Sequence, residues 1–274
     1  MIRLGMMARE TATMTIAAAI AEAKGLQLDA VDLHLSGMNR EQDYLRHVRG
    51  ECLRSGLTIG YAGGGSLVGP AEERGRRLAQ GQADVDATAF LGAQVLRLFA
   101  RHKWPDTVAE QEALWAPMIE SFQELAAYAA ARGVQLAVQN HNNGSFAMNT
   151  GQVLRILREV DRDNFTFLLD TGQWEGAIGS HPRGEWDSSV DLYEDYLKPT
   201  AAHATYVRAK IYKIDSGREE WLDYGRIVRI LRDVDFNGTI GLVFELGDRN
   251  ECTNEACRAL AVQHLREMIA AAYS

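Results

Sequence analysis

Four short runs in this sequence close on side chains that could do chemistry together. They are LAVQNHN, carrying Gln139, Asn140 and His141; FLLDTGQ, carrying Asp170 and Gln173; YVRAKIY, carrying Arg208, Lys210 and Tyr212; and GLVFEL, carrying Glu245. Each is an apolar stretch that ends in hydrogen-bonding or charged groups. Two carboxylates, two fixed cations and an imidazole are the types that take up a proton, stabilise a developing oxyanion and return the proton. Earlier parts of the chain add His34, Tyr61, Arg97 and Arg101, and a later part adds Arg249. Such groups act together only where a fold brings them to one cavity.

Short β-rich runs alternate with segments of helical period eight times. The expected strands are 2–7, 30–35, 57–62, 94–100, 135–140, 165–171, 205–212 and 240–246. The expected helices are 11–24, 40–55, 70–91, 107–132, 150–160, 189–200, 224–235 and 254–272. This alternation is the pattern of a parallel sheet wrapped by helices. A length of 274 residues fits either one barrel or two small domains. Eight units without a Pro- or Ser-rich linker favour a single (β/α)8 TIM barrel, of class α/β, over residues 1–274. A doubly wound sheet would show GxGxxG after an early strand, and that motif is absent. Gly63, Gly64 and Gly65 lack its spacing and read as a flexible loop at the barrel mouth rather than a phosphate cradle. In such barrels the chemistry lies at the C-terminal ends of the strands, where the polar groups named above fall.

The net charge of −8 and pI near 5.4 argue against a nucleic-acid partner, which calls for a basic face. Cys52, Cys252 and Cys257 are an odd number without a CxxC pair, so neither a disulfide framework nor a zinc ribbon is expected and the cytoplasm is the simplest location. The apolar patch near the start is bounded by Arg9 and Glu10 on one side and Glu22 and Lys24 on the other. It reads as an amphipathic helix, not a signal or a membrane span, so no membrane partner is expected.

In order and spacing, the four runs resemble the xylose isomerase-like barrels of the sugar phosphate isomerase/epimerase superfamily, where they read LxxENH, xxLDxGH, hVHxKD and GxxxxE. The likeness covers most of the chain. It implies one divalent metal held by a Glu, an Asp, a His and a Glu on the fifth to eighth strands. Those positions are Gln139, Asp170, Arg208 and Glu245 here. The family's substrate-contacting His, three residues after the Asp, is Gln173. An amide neither offsets a dication nor acts as a base, and a guanidinium offers no lone pair and repels a metal. The expectation is that Arg208 stands in the metal's place between Asp170 and Glu245, with no cofactor. His203 lies five residues before Arg208, on the order of 16 Å towards the wrong end of the barrel. His141 and His181 are the positions from which a metal site could be rebuilt. Seven histidines at these spacings do not supply a three-zinc endonuclease, so DNA repair is not expected.

The resemblance implies an isomerase- or epimerase-like enzyme for a sugar, keto-sugar or polyol, working by proton abstraction next to a carbonyl. With Gln139 on one face the family's two-base scheme fails. Glu245 is left as the base, Arg208 and Lys210 as cations for an enediolate, and His141 or His34 for the second proton transfer. Substrate contacts are expected from His34, Arg97, Gln139, Asn140, Asp170, Gln173, Trp174 and Tyr212. Structural roles stand beside these: Glu245 as the ion-pair partner of Arg208, Lys210 in a barrel-mouth pair, Asp170 as a turn residue before Thr171 and Gly172, His141 ordering its loop, and Trp174, Trp186 and Tyr212 as anchors. A lyase or dehydratase acting on a keto-sugar, or a non-catalytic sugar-binding barrel, remains open. The loop 212–224 reads as a lid or a subunit contact, and barrels of this family often pair, which leaves a homo-oligomer open.

Overall fold

A computed structural model describes residues 2–8, 14–101, 105–178, 186–245 and 249–274. Eight parallel strands close into a barrel in chain order, β1 hydrogen-bonded to both β2 and β8. They are β1 Arg3–Ala8, β2 Ala30–His34, β3 Thr58–Ser66, β4 Val95–Phe99, β5 Gln135–Gln139, β6 Phe165–Asp170, β7 Ala204–Ile211 and β8 Thr239–Phe244. The layer of helices around them comprises α1 Ile16–Gly25, α2 Gln42–Arg54, α3 Arg74–Leu91, α4 Val108–Ala130, α5 Thr150–Val160, α7 Tyr224–Asp233 and α8 Asn254–Tyr273. Between α5 and α7, a π-helical turn, Leu192–Leu197, continues into Lys198–Thr200; the two together are α6.

Local chemistry sets the helix starts. Thr107 and Glu110 form a capping box at α4, and the side chains of Thr15, Asn149, Asp223 and Thr253 each accept a backbone N–H at the start of α1, α5, α7 and α8. Gly92, at φ +80°, closes α3 in the left-handed conformation that glycine adopts without a steric penalty. The main core lies between the barrel wall and the helices. A second, small cluster of Tyr61, Ala137, Leu168 and Tyr206 fills the inside of the barrel.

The glycine run is a correction to the sequence reading. Gly63, Gly64 and Gly65 lie inside β3 and are not a loop at the mouth. A Cβ on Gly63 would meet the Arg97 guanidinium at 2.6 Å, and one on Gly64 would meet the Asp84 carboxylate at 2.9 Å. The strand gives up side chains there so that its neighbours' charged groups fit. A second correction concerns the cysteines: Cys252 and Cys257 are joined by a disulfide across the N-terminus of α8, and Cys52 is the free thiol. That bond removes the ground on which a cytoplasmic location was expected. No helix among the described residues is long and apolar enough to cross a membrane.

Candidate functional site at the C-terminal end of the barrel

Strand alternation decides which side chains enter the barrel. On β7, Tyr206, Arg208 and Lys210 share the inward face at successive heights, as side chains two apart on a strand must. Tyr206 is the lowest. Its hydroxyl donates to Asp32 Oδ1 at 2.6 Å, and its ring meets Tyr61 edge-on with centroids 5.0 Å apart. Asp32 is fully enclosed and its Oδ2 has no hydrogen-bond partner among the described residues. Burial lifts its carboxyl to about 7 against the pull of Tyr206 and Arg208. Glycine makes the room: a Cβ on Gly60 would lie 2.5 Å from Asp32 Oδ1, and one on Gly241 would lie 2.5 Å from the Tyr206 hydroxyl.

Above this floor lies Arg208. Its Nη1 donates to Gln139 Oε1 at 2.8 Å and lies 3.3 Å from Asp170 Oδ2. The same Asp170 oxygen accepts from Gln139 Nε2 at 3.3 Å and lies 3.9 Å from Lys210 Nζ. Burial works against the charge of Arg208, but the carboxyl groups of Asp170 and Asp32 near it favour the protonated guanidinium. Asn140 fixes this arrangement from behind: its amide accepts from Asp170 N at 2.8 Å and donates to the carbonyls of Asp170 and Gln173. Gly172 N also donates to Asp170 Oδ1, so the turn role expected of Asp170 and its ion-pair role coexist.

Glu245 follows β8, and its partner is Lys210, at 2.7 Å. The expectation that Arg208 would lie between two carboxylates is therefore corrected: it lies between Gln139 and Asp170, and the shorter Lys210 holds Glu245. The difference in exposure separates the two carboxylates. Asp170 is fully enclosed, whereas the side chain of Glu245 is 34% exposed, so Glu245 is the one that a substrate can reach.

On the β2 to β4 side, Arg97 Nη2 is 2.9 Å from His34 Nε2, and its guanidinium lies 4.0 Å from the centroid of Phe99. Burial pulls Arg97 down to about 10, which leaves it charged. A guanidinium can only donate, so His34 Nε2 accepts and the imidazole carries its proton on Nδ1. His141 accepts from Asn143 N at Nδ1 and meets Phe99 edge-on, consistent with a loop-ordering role beside any chemical one. Gln173 is 4% exposed, and its Oε1 lacks a partner among the described residues.

Two expected contact residues lie elsewhere. Trp174 is fully enclosed and stacked on Tyr196 with centroids 4.9 Å apart, in the core outside the barrel. Tyr212, 1% exposed, is stacked on Trp221, and its hydroxyl donates to Gly172 O. It forms wall rather than surface. Trp186 is exposed. The loop after β7 is internally tied: Glu219 accepts from the backbone of Tyr212, Lys213 and Trp221, and burial raises its carboxyl to about 7. His203 sits before β7, below the barrel, as its spacing implied. His181 lies outside the described residues.

The four positions at which a dication could be held do not fit one. Three of the required donors would be Gln139, Asp170 and Glu245, but the guanidinium at the fourth is already hydrogen-bonded or ion-paired to the first two. An ion placed among them would lie against a fixed positive charge. Among the described residues, one group of His, Cys, Asp and Glu is close enough to hold a metal: Asp215, Cys252 and Cys257. It lies in the loops after β7 and β8 and the first turn of α8, with both sulfurs in the disulfide.

The comparisons with known proteins agree with this architecture. The sequence family described as the xylose isomerase-like TIM barrel matches residues 16–268. No curated protein matches the chain in sequence. Among solved structures, D-psicose 3-epimerase from Clostridium cellulolyticum H10, with D-tagatose, superposes with a TM-score of 0.75 at 16% identity, covering 97% of this chain and 99% of that one. 3-Keto-D-glucoside 4-epimerase from E. coli gives 0.70 at 15% identity, covering 100% and 99%. A xylose isomerase domain protein from Planctomyces limnophilus gives 0.70 at 15%, covering 97% and 96%. At these identities the likeness is one of fold.

Proposed function

The chain belongs to the xylose isomerase-like TIM barrel family, and from that premise we propose that it is an isomerase- or epimerase-type enzyme acting on a keto-sugar or related polyol, without a metal at the barrel mouth. The observation that carries this reading is the pairing pattern at the strand ends. Arg208 is held between Gln139 and Asp170, where the family pattern calls for a metal, while a reachable Glu245 lies 2.7 Å from Lys210. The fold likeness to proteins named as sugar epimerases supports the substrate class.

In this reading Glu245 takes the proton from the carbon next to the substrate carbonyl. The electron pair moves onto the carbonyl oxygen, and the enediolate is stabilised by Lys210 and Arg208, cations already fixed by their partners. Return of the proton to the neighbouring carbon gives isomerisation, and return to the opposite face gives epimerisation. His34 or His141 supplies the second transfer. Gln173 Oε1, buried and without a partner among the described residues, is suited to a substrate hydroxyl.

The test is a ketose screen run in excess chelator, with Glu245→Gln alongside the wild type. Turnover by the wild type and a loss on the order of 10²–10⁴ in kcat for the variant is expected of a general base. Full turnover by Glu245→Gln removes Glu245 from that role. Ketose binding without turnover by the wild type indicates a sugar-binding barrel instead.

A further inference from the structure

At the opposite end of the barrel, a cavity of about 570 Å³ opens between the starts of the strands and the loops that join α2 to β3 and α3 to β4. The N-terminal end of such a barrel ordinarily serves stability. This cavity has the composition of a binding site. Arg3 from β1 and Arg49 from α2 line it, together with Gln94, Gln135 and Thr239, and none of its lining residues is an Asp or a Glu. On a chain with 37 acidic residues against 29 basic ones, an acid-free cavity with two guanidiniums is electropositive against its background.

Its donors are also uncommitted. Among the described residues, neither arginine forms an ion pair. Arg49 spends one N–H on Phe90 O at 3.1 Å, and the side chains of Arg3, Gln94, Gln135 and Thr239 have no hydrogen-bond partner among the described residues. The rest of the wall mixes Thr58 and Thr205 with apolar patches at Leu57, Leu91 and Val95. A concave surface of polar groups interleaved with apolar patches, at a volume within roughly 300–1,000 Å³, suits a small polar molecule. The inner wall is Gly60 and Tyr206, the residue whose hydroxyl holds Asp32 beneath Arg208.

From the two guanidiniums without an ion pair, the neutral donors and the apolar patches between them, we infer that this cavity is a second ligand site, separate from the candidate catalytic site, for a phosphate monoester of a small organic molecule. Guanidinium groups favour phosphate oxygens through paired, charge-assisted hydrogen bonds. The neutral polar groups and the apolar patches receive the body of the ester, which inorganic phosphate lacks.

Calorimetric titration of the whole chain with fructose 6-phosphate, inorganic phosphate and fructose tests this in the wild type, in Arg3→Gln, in Arg49→Gln and in the double variant. Both arginines are exposed, so these variants keep the fold. Fructose 6-phosphate should bind more tightly than inorganic phosphate. Its affinity should fall about tenfold in each single variant, as the loss of one charge-assisted contact implies, and the site should be lost in the double variant. Unaltered affinity in the double variant, or no binding of either phosphate probe at millimolar concentration, overturns the inference. Equal affinity for the two probes overturns the assignment to an ester.

Discussion

Arg208→Met removes the charge at the centre of the site while keeping most of the side chain's volume. Asp170, fully enclosed, then loses the cation 3.3 Å from its Oδ2 and keeps Gln139 Nε2 at 3.3 Å, Gly172 N at 3.2 Å and Lys210 Nζ at 3.9 Å. Breaking a buried ion pair from one side destabilises by roughly 3–5 kcal/mol, because the other charge is left in a poor environment. The residual Lys210 places the expected loss at the lower end, about 3 kcal/mol. At roughly 2–4 °C per kcal/mol for a domain of this size, the melting temperature falls by about 6–12 °C. The attribution is tested by a double-mutant cycle with Asp170→Asn, read by urea unfolding. Once both charges are gone neither is stranded, so the double variant should be more stable than the sum of the singles predicts, by about 2–3 kcal/mol. Losses that add to within about 0.5 kcal/mol would show that Arg208 and Asp170 do not act as a pair, and the argument that a fixed cation organises this site would fail.

Asp32→Asn should change how stability depends on pH. Burial lifts the Asp32 carboxyl from its ordinary 3.8 to about 7, so between those values the native state holds a proton that the unfolded chain has lost. This contribution is complete below about pH 4 and is lost as the pH rises through about 7, at about 1.4 kcal/mol per pH unit. In the variant that slope disappears, and parallel wild-type and variant curves across the window would refute it. Gly241→Ala places a methyl group 2.5 Å from the Tyr206 hydroxyl. Tyr206 is itself held by Asp32, so overpacking should destabilise by about 1–3 kcal/mol, and a neutral effect in thermal unfolding would mean that the barrel floor is looser than the Asp32–Tyr206 hydrogen bond implies.

The eight βα units were legible because short β-rich runs give way to segments of helical period, several of them opened by a start signal, as Thr107 with Glu110 and Asn149 with Gln152 illustrate. The polar strand ends were legible for the same reason. Asp32 lies inside its strand and not at its polar end, and its signal is in AVDLH: it stands two residues before His34, on the same face. Gly63 to Gly65 were misread because glycine marks both loops and close approaches, and only the position of the Arg97 side chain shows which applies. Which cation holds Glu245 was beyond the sequence, since Arg208 and Lys210 share a face and the choice rests on side-chain reach. The Cys252–Cys257 bond spans five residues at a helix start, and spacing alone did not bring the two thiols together.

The measurement that bears most directly on the account is divalent-metal binding, by Mn²⁺ titration and metal analysis, of the wild type beside Gln139→Glu/Arg208→His, which restores the family's ligand types at both departed positions. The wild type should retain no Mn²⁺ at the barrel mouth and keep its turnover in chelator. The double variant, with three carboxylates and a neutral imidazole, should bind about one equivalent and gain about 2.7 kcal/mol of stability at a hundredfold excess over its dissociation constant. One tightly held equivalent in the wild type, lost together with activity on chelation and abolished by Asp170→Asn, would contradict the claim that Arg208 takes the metal's place.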